Sequence, residues 1–191
     1  AGANKVFLSL AKDLDCNLDL HVDETLNAEM LSLRDLAKRI IAKAPQFSVT
    51  ASHCVSLGMQ TKKIQRQVAQ LVAEANIAVV TLPQTNLYLQ GREHQSAMPR
   101  ALTALSALQE AGVTVMAGGD NLQDPFNPMG RADPLEAAAL LVSAGHYFPE
   151  DAYGAVSSKV HECLAKNPPF LAVGSGANFI LTPAESIREF I

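Results

Sequence analysis

The stretch GVTVMAGGDNLQDPFNPMG, from Gly112 to Gly130, changes character halfway along its length. Residues 113–117 form an apolar, β-branched run that is typical of a buried strand. The chain then passes through two glycines to Asp120 and Asn121 and enters a loop rich in Asp, Asn, Gln and Pro. A strand that served only the core would not end on two adjacent polar side chains. This ending predicts a buried strand with a functional site at its carboxyl end.

Three more short apolar runs precede this one at a spacing of about thirty residues, the length of a strand–helix–strand unit. They cover residues 17–21, 47–51 and 77–81. Between and after the strands, apolar residues recur every three or four positions, which predicts amphipathic helices. These helices are predicted over residues 6–14, 26–44, 64–72, 102–109, 135–144 and 149–165.

Alternating strands and helices at this spacing favour parallel strands joined by right-handed crossovers. Two α/β architectures satisfy the pattern, an open doubly wound sheet and a closed (β/α)8 barrel. Four strand–helix units make half of such a barrel, and the helix at 6–14 has no strand before it. We therefore expect that something upstream of Ala1 is absent. Near the other end, residues 170–181 predict two short strands around a Gly-Ser-Gly turn.

The composition argues against several classes of protein. With 191 residues, 48% of them apolar, the chain is long enough for one domain with a sizeable core. The net charge of −4 and the lack of a basic cluster argue against nucleic-acid binding. The apolar runs are too short to span a membrane, no signal peptide opens the chain, and the three cysteines are widely spaced. A protein of the reducing cytoplasm, without a disulfide framework, fits best.

Polar residues with useful chemistry stand at the ends of the predicted strands. The first strand ends at His21 with Glu24 close behind, the second is followed by His53, and the fourth by Asp120. The carboxyl ends of parallel strands share one rim, where ligands bind, so we expect these four side chains to converge. Taken singly, each has an ordinary use, since a histidine can hydrogen-bond within the fold and a carboxylate can cap a helix. The joint occurrence of two histidines and two acids favours a functional site.

The residue types suit a metal-dependent hydrolase. Imidazole and carboxylate groups bind a divalent ion while leaving open positions, and the ion lowers the pKa of its water to about 7. His21 and Asp120 are the candidate ligands, His53 is a third candidate, and Glu24 is left to move protons. A catalytic metal usually takes three or more protein ligands. We therefore expect the missing half of the barrel to supply more of them.

Four motifs occur in order along the chain: DLHVDET at 19–25, TASHCVSLG at 50–58, NLYLQGR at 86–92 and GGDNLQDPFNPMG at 118–130. Together they resemble the second half of cytosine deaminase, an enzyme of the amidohydrolase superfamily. The tail VGSGANFILTPAE at 173–185 resembles the stretch where such enzymes leave the barrel for a small β-sandwich. The resemblance implies that residues 1–168 are the second half of an amidohydrolase TIM barrel and that residues 169–191 return toward the sandwich.

The resemblance also implies roles for the candidate residues around one iron or zinc ion. His21 corresponds to a histidine ligand, and Asp120 to an aspartate that binds the metal and accepts a proton from the attacking water. Glu24 corresponds to the glutamate that carries a proton to a ring nitrogen, and His53 to the histidine that polarises the water. The implied reaction is hydrolytic deamination of cytosine or a related aminated ring, in which metal-bound hydroxide attacks the amino-bearing carbon and ammonia leaves.

Several positions depart from the cytosine deaminase pattern and leave the substrate open. Asn121 stands where a second aspartate is common, Phe126 replaces a tryptophan, and both are expected to line the substrate side. Changing carboxylate to carboxamide replaces a pure acceptor by a group that also donates. Isocytosine, a triazine or another cyclic amidine or amide are therefore alternatives, as is a non-catalytic α/β ligand-binding domain. The expected partners are a small heterocyclic substrate and the missing half of the same protein, and a homo-oligomer is left open.

Overall fold

The computed structural model describes residues 2–164, 173, 174, 176 and 179–191. Their centre is one parallel sheet of four strands in the order β1-β2-β3-β4. The strands are β1 (Leu18–Val22), β2 (Val49–His53), β3 (Ile77–Thr81) and β4 (Val115–Ala117), and every neighbouring pair is parallel. Parallel neighbours require a crossover between them, and helices supply it. The α/β prediction is confirmed, and each strand lies within two residues of its predicted bounds.

Ten helices accompany the sheet within the described residues. They are α1 (Gly2–Asp13), α2 (Ser32–Lys43), α3 (Val55–Gly58), α4 (Lys62–Glu74), α5 (Pro83–Leu89), α6 (Leu105–Glu110), α7 (Pro134–Ser143), α8 (Pro149–Val156), α9 (Ser158–Leu164) and α10 (Ile187–Phe190). None of these ten combines the length and the apolar character that a membrane crossing requires.

One face of the sheet is covered by helices and forms the core. Alternate strand residues point to this side, so Val49 and Ala51 of β2 and Val79 of β3 are buried. They belong to one cluster with aliphatic side chains of α2, α4, α6 and α7, namely Leu33, Leu36, Val68, Val72, Leu108 and Leu141. Burial of each large aliphatic side chain contributes about 1.5–3 kcal/mol. This layer fixes the strands and thereby their carboxyl ends.

The other face of the sheet carries polar residues on β1 and β2. The register pairs Asp19 with Thr50 and His21 with Ser52, and partners in a parallel pair point to the same side. Thr50 donates a hydrogen bond of 2.6 Å from Oγ1 to Asp19 Oδ1, while Asp19 and His21 are exposed. Among the described residues β1 pairs on one side only. That these strands are half of a closed barrel stays a prediction.

The second helix starts later than its periodicity predicts. The apolar pattern begins at residue 26, but α2 begins at Ser32. The carboxylate of Asp23 accepts hydrogen bonds from the backbone N–H groups of Ser32 and Leu33 at 2.8 and 2.9 Å, which fixes the first turn at this point. Residues 24–31 are thereby left as a loop above the end of β1.

Beyond Gly145 the structure describes only part of the segment for which helices and strands are predicted. The helix expected over 149–165 is divided into α8 and α9 at Ser157, and residue 165 lies outside the described part of the chain. The two short strands expected over 170–181 lie largely outside it as well, and the described residues 179–181 belong to no strand. The assignment of residues 169–191 to the start of a β-sandwich stays a prediction.

Candidate active site

Two histidines from neighbouring strands meet at the carboxyl end of the sheet. His21 lies next to last in β1 and His53 ends β2. Nδ1 of His21 is 2.8 Å from Nε2 of His53, a hydrogen-bond distance, and the ring centroids are 4.8 Å apart. His53 is fully buried, whereas His21 is exposed. The parallel pairing of β1 with β2 therefore brings two of the predicted residues into contact.

Two carboxylates complete the group. Glu24, just beyond β1, places Oε2 3.6 Å from His53 Nε2, and Asp120, just beyond β4, places Oδ2 3.6 Å from the same nitrogen. Their side chains are 37% and 19% exposed, so both are accessible from solvent. Three of the four residues that the strand ends predict therefore lie around Nε2 of the fourth, His53.

Three of these residues form a donor set for a metal ion. The coordinating atoms of His21, His53 and Asp120 all lie within 4.8 Å of one another. Bonds of about 2.0–2.2 Å place two ligands of one ion at most about 4.4 Å apart, so small side-chain shifts suffice. Two imidazoles and one carboxylate suit zinc or iron(II). The donor chemistry fits the predicted ion, and Glu24 stands outside the set.

The backbone is strained where it carries the site. His53, Cys54 and Asp120 have φ values of 66°, 50° and 65°, in the left-handed region that non-glycine residues avoid. Asp23 has a φ of 53°. Each such residue costs about 1–2 kcal/mol, and the conformation persists only when the surrounding structure imposes it. Eight further non-glycine residues among those described adopt the same conformation, so left-handed backbone is not by itself a marker of the site.

The first turn of α5 supports the site from within the protein. Asn86 is fully buried, and its Oδ1 lies 3.0 Å from Nδ1 of His53. Thr85 donates from Oγ1 to Asn121 Oδ1 at 3.0 Å and reaches Gly119 O at 3.3 Å. The sequence shows polar residues after the third strand, but it carries no signal that links them to His53. These contacts are the part of the site that sequence reasoning misses.

The loop that follows Asp120 is organised by Asp124. Its carboxylate accepts hydrogen bonds from the backbone N–H groups of Phe126 and Asn127 at 2.9 and 3.0 Å, and from Nδ2 of Asn121 at 2.7 Å. Desolvation opposes ionisation of Asp124, but these hydrogen bonds outweigh it and lower the pKa of the carboxyl. The charged form that shapes the loop is therefore present at neutral pH.

The two predicted substrate-side residues occupy different environments. Asn121 uses both atoms of its amide within the protein, with Thr85 and Asp124 as partners. Phe126 is 54% exposed and presents the more accessible side chain. Contact of either residue with a substrate stays a prediction.

Two neighbours of the site have structural uses. Cys54 is fully buried, and desolvation raises the pKa of its thiol far above the usual range, so it is no nucleophile. Asp23 caps α2 through the two backbone bonds described above. Among the described residues neither Glu24 nor Asp120 caps a helix, so the structural alternative for these two acids finds no support.

Sequence comparison decides the family to which this site belongs. Residues 4–164, most of the chain, match the Amidohydrolase family. The chain belongs to the amidohydrolase family. The resemblance carried by the four motifs is confirmed at this level.

Known proteins similar to this amidohydrolase chain include deaminases. It is 36% identical over 180 residues to pterin deaminase from Rhizobium rhizogenes. The matched region covers 92% of this chain and 41% of that protein. The structure of 5-methylcytosine deaminase from Klebsiella pneumoniae liganded with 5-fluorocytosine superposes with a TM-score of 0.87 at 24% identity, over 99% of this chain and 48% of that one. N-isopropylammelide isopropylaminohydrolase from Burkholderia multivorans superposes with a TM-score of 0.64 at 26% identity, over 84% and 39% of the two chains. The amidohydrolase chain spans less than half the length of each of these three proteins.

Proposed function

We propose that the protein containing this chain removes an amino group from an aminated nitrogen heterocycle by hydrolysis and releases ammonia. The observation that carries the proposal is the convergence of His21, His53 and Asp120, with Glu24 3.6 Å from the same imidazole. Pterin deaminase and 5-methylcytosine deaminase are enzymes that hydrolyse C–N bonds, and the similarity to them supports this reaction class.

We assign one divalent ion, iron or zinc, to His21 and Asp120. His53 offers a further nitrogen within the same donor set. When bound, the ion supplies Lewis acidity and lowers the pKa of a coordinated water to about 7. Additional ligands would come from the other half of the barrel, which corresponds to the part of the relatives that this chain does not match.

Three side chains of this chain handle protons and charge in the proposed reaction. Glu24 as a carboxylic acid delivers a proton to a ring nitrogen, so that the ring becomes electrophilic as attack occurs, and Asp120 accepts the proton that the attacking water releases. Asp120 then passes that proton to the amino group, which leaves as ammonia, and Glu24 regains a proton from the new hydroxyl as the carbonyl forms. Both carboxylates reach the same His53 nitrogen at 3.6 Å, which places acid and base close enough to serve one small ring. His53 polarises the water and stabilises the tetrahedral intermediate.

The first substrate to test is a 2-amino-4-oxopyrimidine ring, either free as isocytosine or fused as in a pterin. The 36% identity to pterin deaminase supports this choice. Phe126, which is 54% exposed in the loop that follows Asp120, is the aromatic side chain on which we propose that a flat heterocycle stacks. Cytosine and an aminated triazine are the alternatives.

The proposed function includes a proposal for the domain architecture of this chain. Residues 1–168 form the second half of a TIM barrel, and residues 169–191 lead toward a β-sandwich. The TM-score of 0.87 over 99% of the chain supports the barrel fold, as does the edge of β1 that pairs with no described strand, beside a polar sheet face. The small-molecule substrate and the other barrel half are then the partners that catalysis needs, and the cytoplasm is the location that the composition favours.

The test is ammonia release by the full-length protein, loaded with iron or zinc, from pterin, isocytosine, cytosine and ammelide. We expect turnover of at least one compound, about one metal ion per chain, and loss of activity on chelation. Ring opening without ammonia would indicate hydrolysis of a cyclic amide instead. A protein with no stoichiometric metal and no turnover would indicate a ligand-binding domain.

A further inference from the structure

We propose that Asn86 and Thr85 are positioning residues that set the orientation of His53 and of the Asp120 turn relative to each other. Neither residue belongs to the reacting group, and each acts through a residue that does. The inference rests on the proposed function, because it concerns the same site. The supporting observation is that the first turn of α5 contacts residues at the ends of two different strands, β2 and β4.

Asn86 determines which ring nitrogen of His53 carries the proton and which one faces the site. A carboxamide oxygen only accepts hydrogen bonds, so the 3.0 Å contact between Asn86 Oδ1 and His53 Nδ1 places a proton on Nδ1. In the neutral imidazole the other nitrogen, Nε2, then carries a lone pair. Nε2 is the atom that lies near His21, Glu24 and Asp120. Because His53 and Asn86 are both fully buried, this bond is shielded from competing water.

Thr85 supports the turn that carries Asp120. Its Oγ1, in a residue that is 1% exposed, lies 3.0 Å from Asn121 Oδ1 and 3.3 Å from Gly119 O. These two acceptors belong to the residues directly before and after Asp120. The φ of 65° at Asp120 is a conformation that needs support from its surroundings. The single hydroxyl proton of Thr85 is therefore shared between the two flanks of the strained residue, with the shorter contact to Asn121.

The topology explains how one turn can serve both residues. α5 begins at Pro83, directly after β3, and β3 lies between β2 and β4 in the sheet. His53 ends β2 and Asp120 follows β4, so they lie on opposite sides of β3. Gln84 in the same turn, with its amide oriented to satisfy its neighbours, donates to Gly118 O at 3.1 Å. The first turn of α5 is thus placed between the two halves of the site.

Two matched pairs of variants test the proposal in the full-length protein. Asn86→Leu removes the acceptor at similar volume, whereas Asn86→Asp keeps an acceptor. Thr85→Val removes the hydroxyl at similar shape, whereas Thr85→Ser keeps it. Thr103→Val is the control, because Thr103 is buried and its Oγ1 makes no hydrogen bond within the part of the chain that the structure describes.

We expect kcat/KM for ammonia release to fall about 10- to 100-fold in Asn86→Leu and in Thr85→Val, mainly through kcat, with metal content unchanged. Asn86→Asp and Thr85→Ser should recover most of that loss, and Thr103→Val should match the wild type. Wild-type kcat in both disrupting variants, or an equal loss in the control, overturns the proposal.

A readout without turnover separates this proposal from the proposed function. In a two-bond 1H–15N spectrum of histidine-labelled protein from zinc-supplemented cells, we expect His53 to be protonated at Nδ1, and Asn86→Leu to lose that signature. His53→Gln assigns the signal. If the wild type deaminates no compound, the proposed function fails, but the spectrum still shows whether Asn86 sets the protonated nitrogen of His53. If Asn86→Leu does not fold, the wild-type spectrum and the Thr85 pair decide, and protonation at Nε2 alone refutes the assignment.

Discussion

Glu24 and Asp120 differ in a way that a single substitution can exploit. Both carboxylates lie 3.6 Å from Nε2 of His53, but only Asp120 belongs to the metal donor set. A change at Asp120 would therefore mix metal loss with the loss of a proton acceptor. A change at Glu24 isolates proton delivery, which makes Glu24 the residue on which the proposed mechanism is most open to test.

We expect Glu24→Gln to keep its metal and to lose turnover by about 10²- to 10⁴-fold, because the amide keeps the shape of the side chain but has no acidic proton to transfer. Ammonia release and elemental analysis on the same sample measure the two effects. Glu29→Gln is the matched control, since Glu29 is exposed on the same loop. Wild-type rates in Glu24→Gln would remove the assigned role.

Tyr147 shows how a buried polar atom limits stability. The residue is 6% exposed, and its hydroxyl makes no hydrogen bond to any described residue. Desolvation, together with the charge of Asp151, raises the pKa of Tyr147 to about 12. The phenol of the unfolded chain ionises near pH 10. Between about pH 10 and 12 the unfolded state therefore gains charge that the folded state cannot, and stability falls as pH rises through this window.

We predict that Tyr147→Phe is neutral or up to about 1 kcal/mol more stable than the wild type at pH 7, because no hydrogen bond is lost. Its stability should also decline less between pH 10 and 12. Urea unfolding at pH 7 and pH 11 measures both differences. A variant that loses more than about 1 kcal/mol at pH 7 would mean that the hydroxyl has a partner.

At the scale of elements, α2 depends on a residue outside its own sequence. Asp23 lies nine residues before Ser32 and accepts its backbone N–H, together with that of Leu33. Removal of such a cap costs about 0.5–2 kcal/mol. The same residue has a φ of 53°, so alanine there also incurs a left-handed penalty.

Asp15 provides a control for that penalty, because its φ is 49° and its carboxylate makes no hydrogen bond or ion pair with described residues. We expect Asp23→Ala to destabilise the protein by about 1 kcal/mol more than Asp15→Ala does. Thermal or urea unfolding of both variants gives the difference. Equal losses would show that backbone strain, and not capping, accounts for the effect.

The sequence locates the strands and the four residues that converge at their ends, but not the contacts between elements. Short apolar runs predict the strands within two residues, and this holds even for β1, of which only Val22 is buried. Short helices such as α5 have no repeating apolar face, and their stability comes from tertiary contacts. His53 is predictable because a polar residue follows an apolar run. Its partner Asn86 is not, because it lies 33 residues away and no local pattern connects the two.

At the scale of the whole molecule, α1 presents apolar side chains on both sides. Leu8 and Ala11 are buried in the fold, whereas a second stripe faces outward: Val6, Phe7, Leu10 and Leu14, with exposures of 63%, 42%, 50% and 64%. A contiguous apolar stripe in water favours association. In the complete barrel we propose that neighbouring elements cover this stripe.

We expect this chain, expressed alone, to self-associate with increasing concentration, and Leu10→Lys to shift it toward the monomer. Ser9→Lys adds the same charge to the same helix at an exposed polar position and should have little effect. Sedimentation velocity over a range of concentrations measures the difference. Equal behaviour of the two variants would show that the α1 stripe does not drive association.

The loop around Asp124 owes its backbone shape to contacts that do not involve its exposed apolar side chains. Its carboxylate holds two backbone N–H groups and the amide of Asn121, and it binds none of the exposed side chains of Leu122, Phe126 and Met129. Those three side chains can therefore be exchanged while the hydrogen bonds that shape the loop are kept. If the proposed function holds, a combinatorial library confined to these positions tests whether they set selectivity.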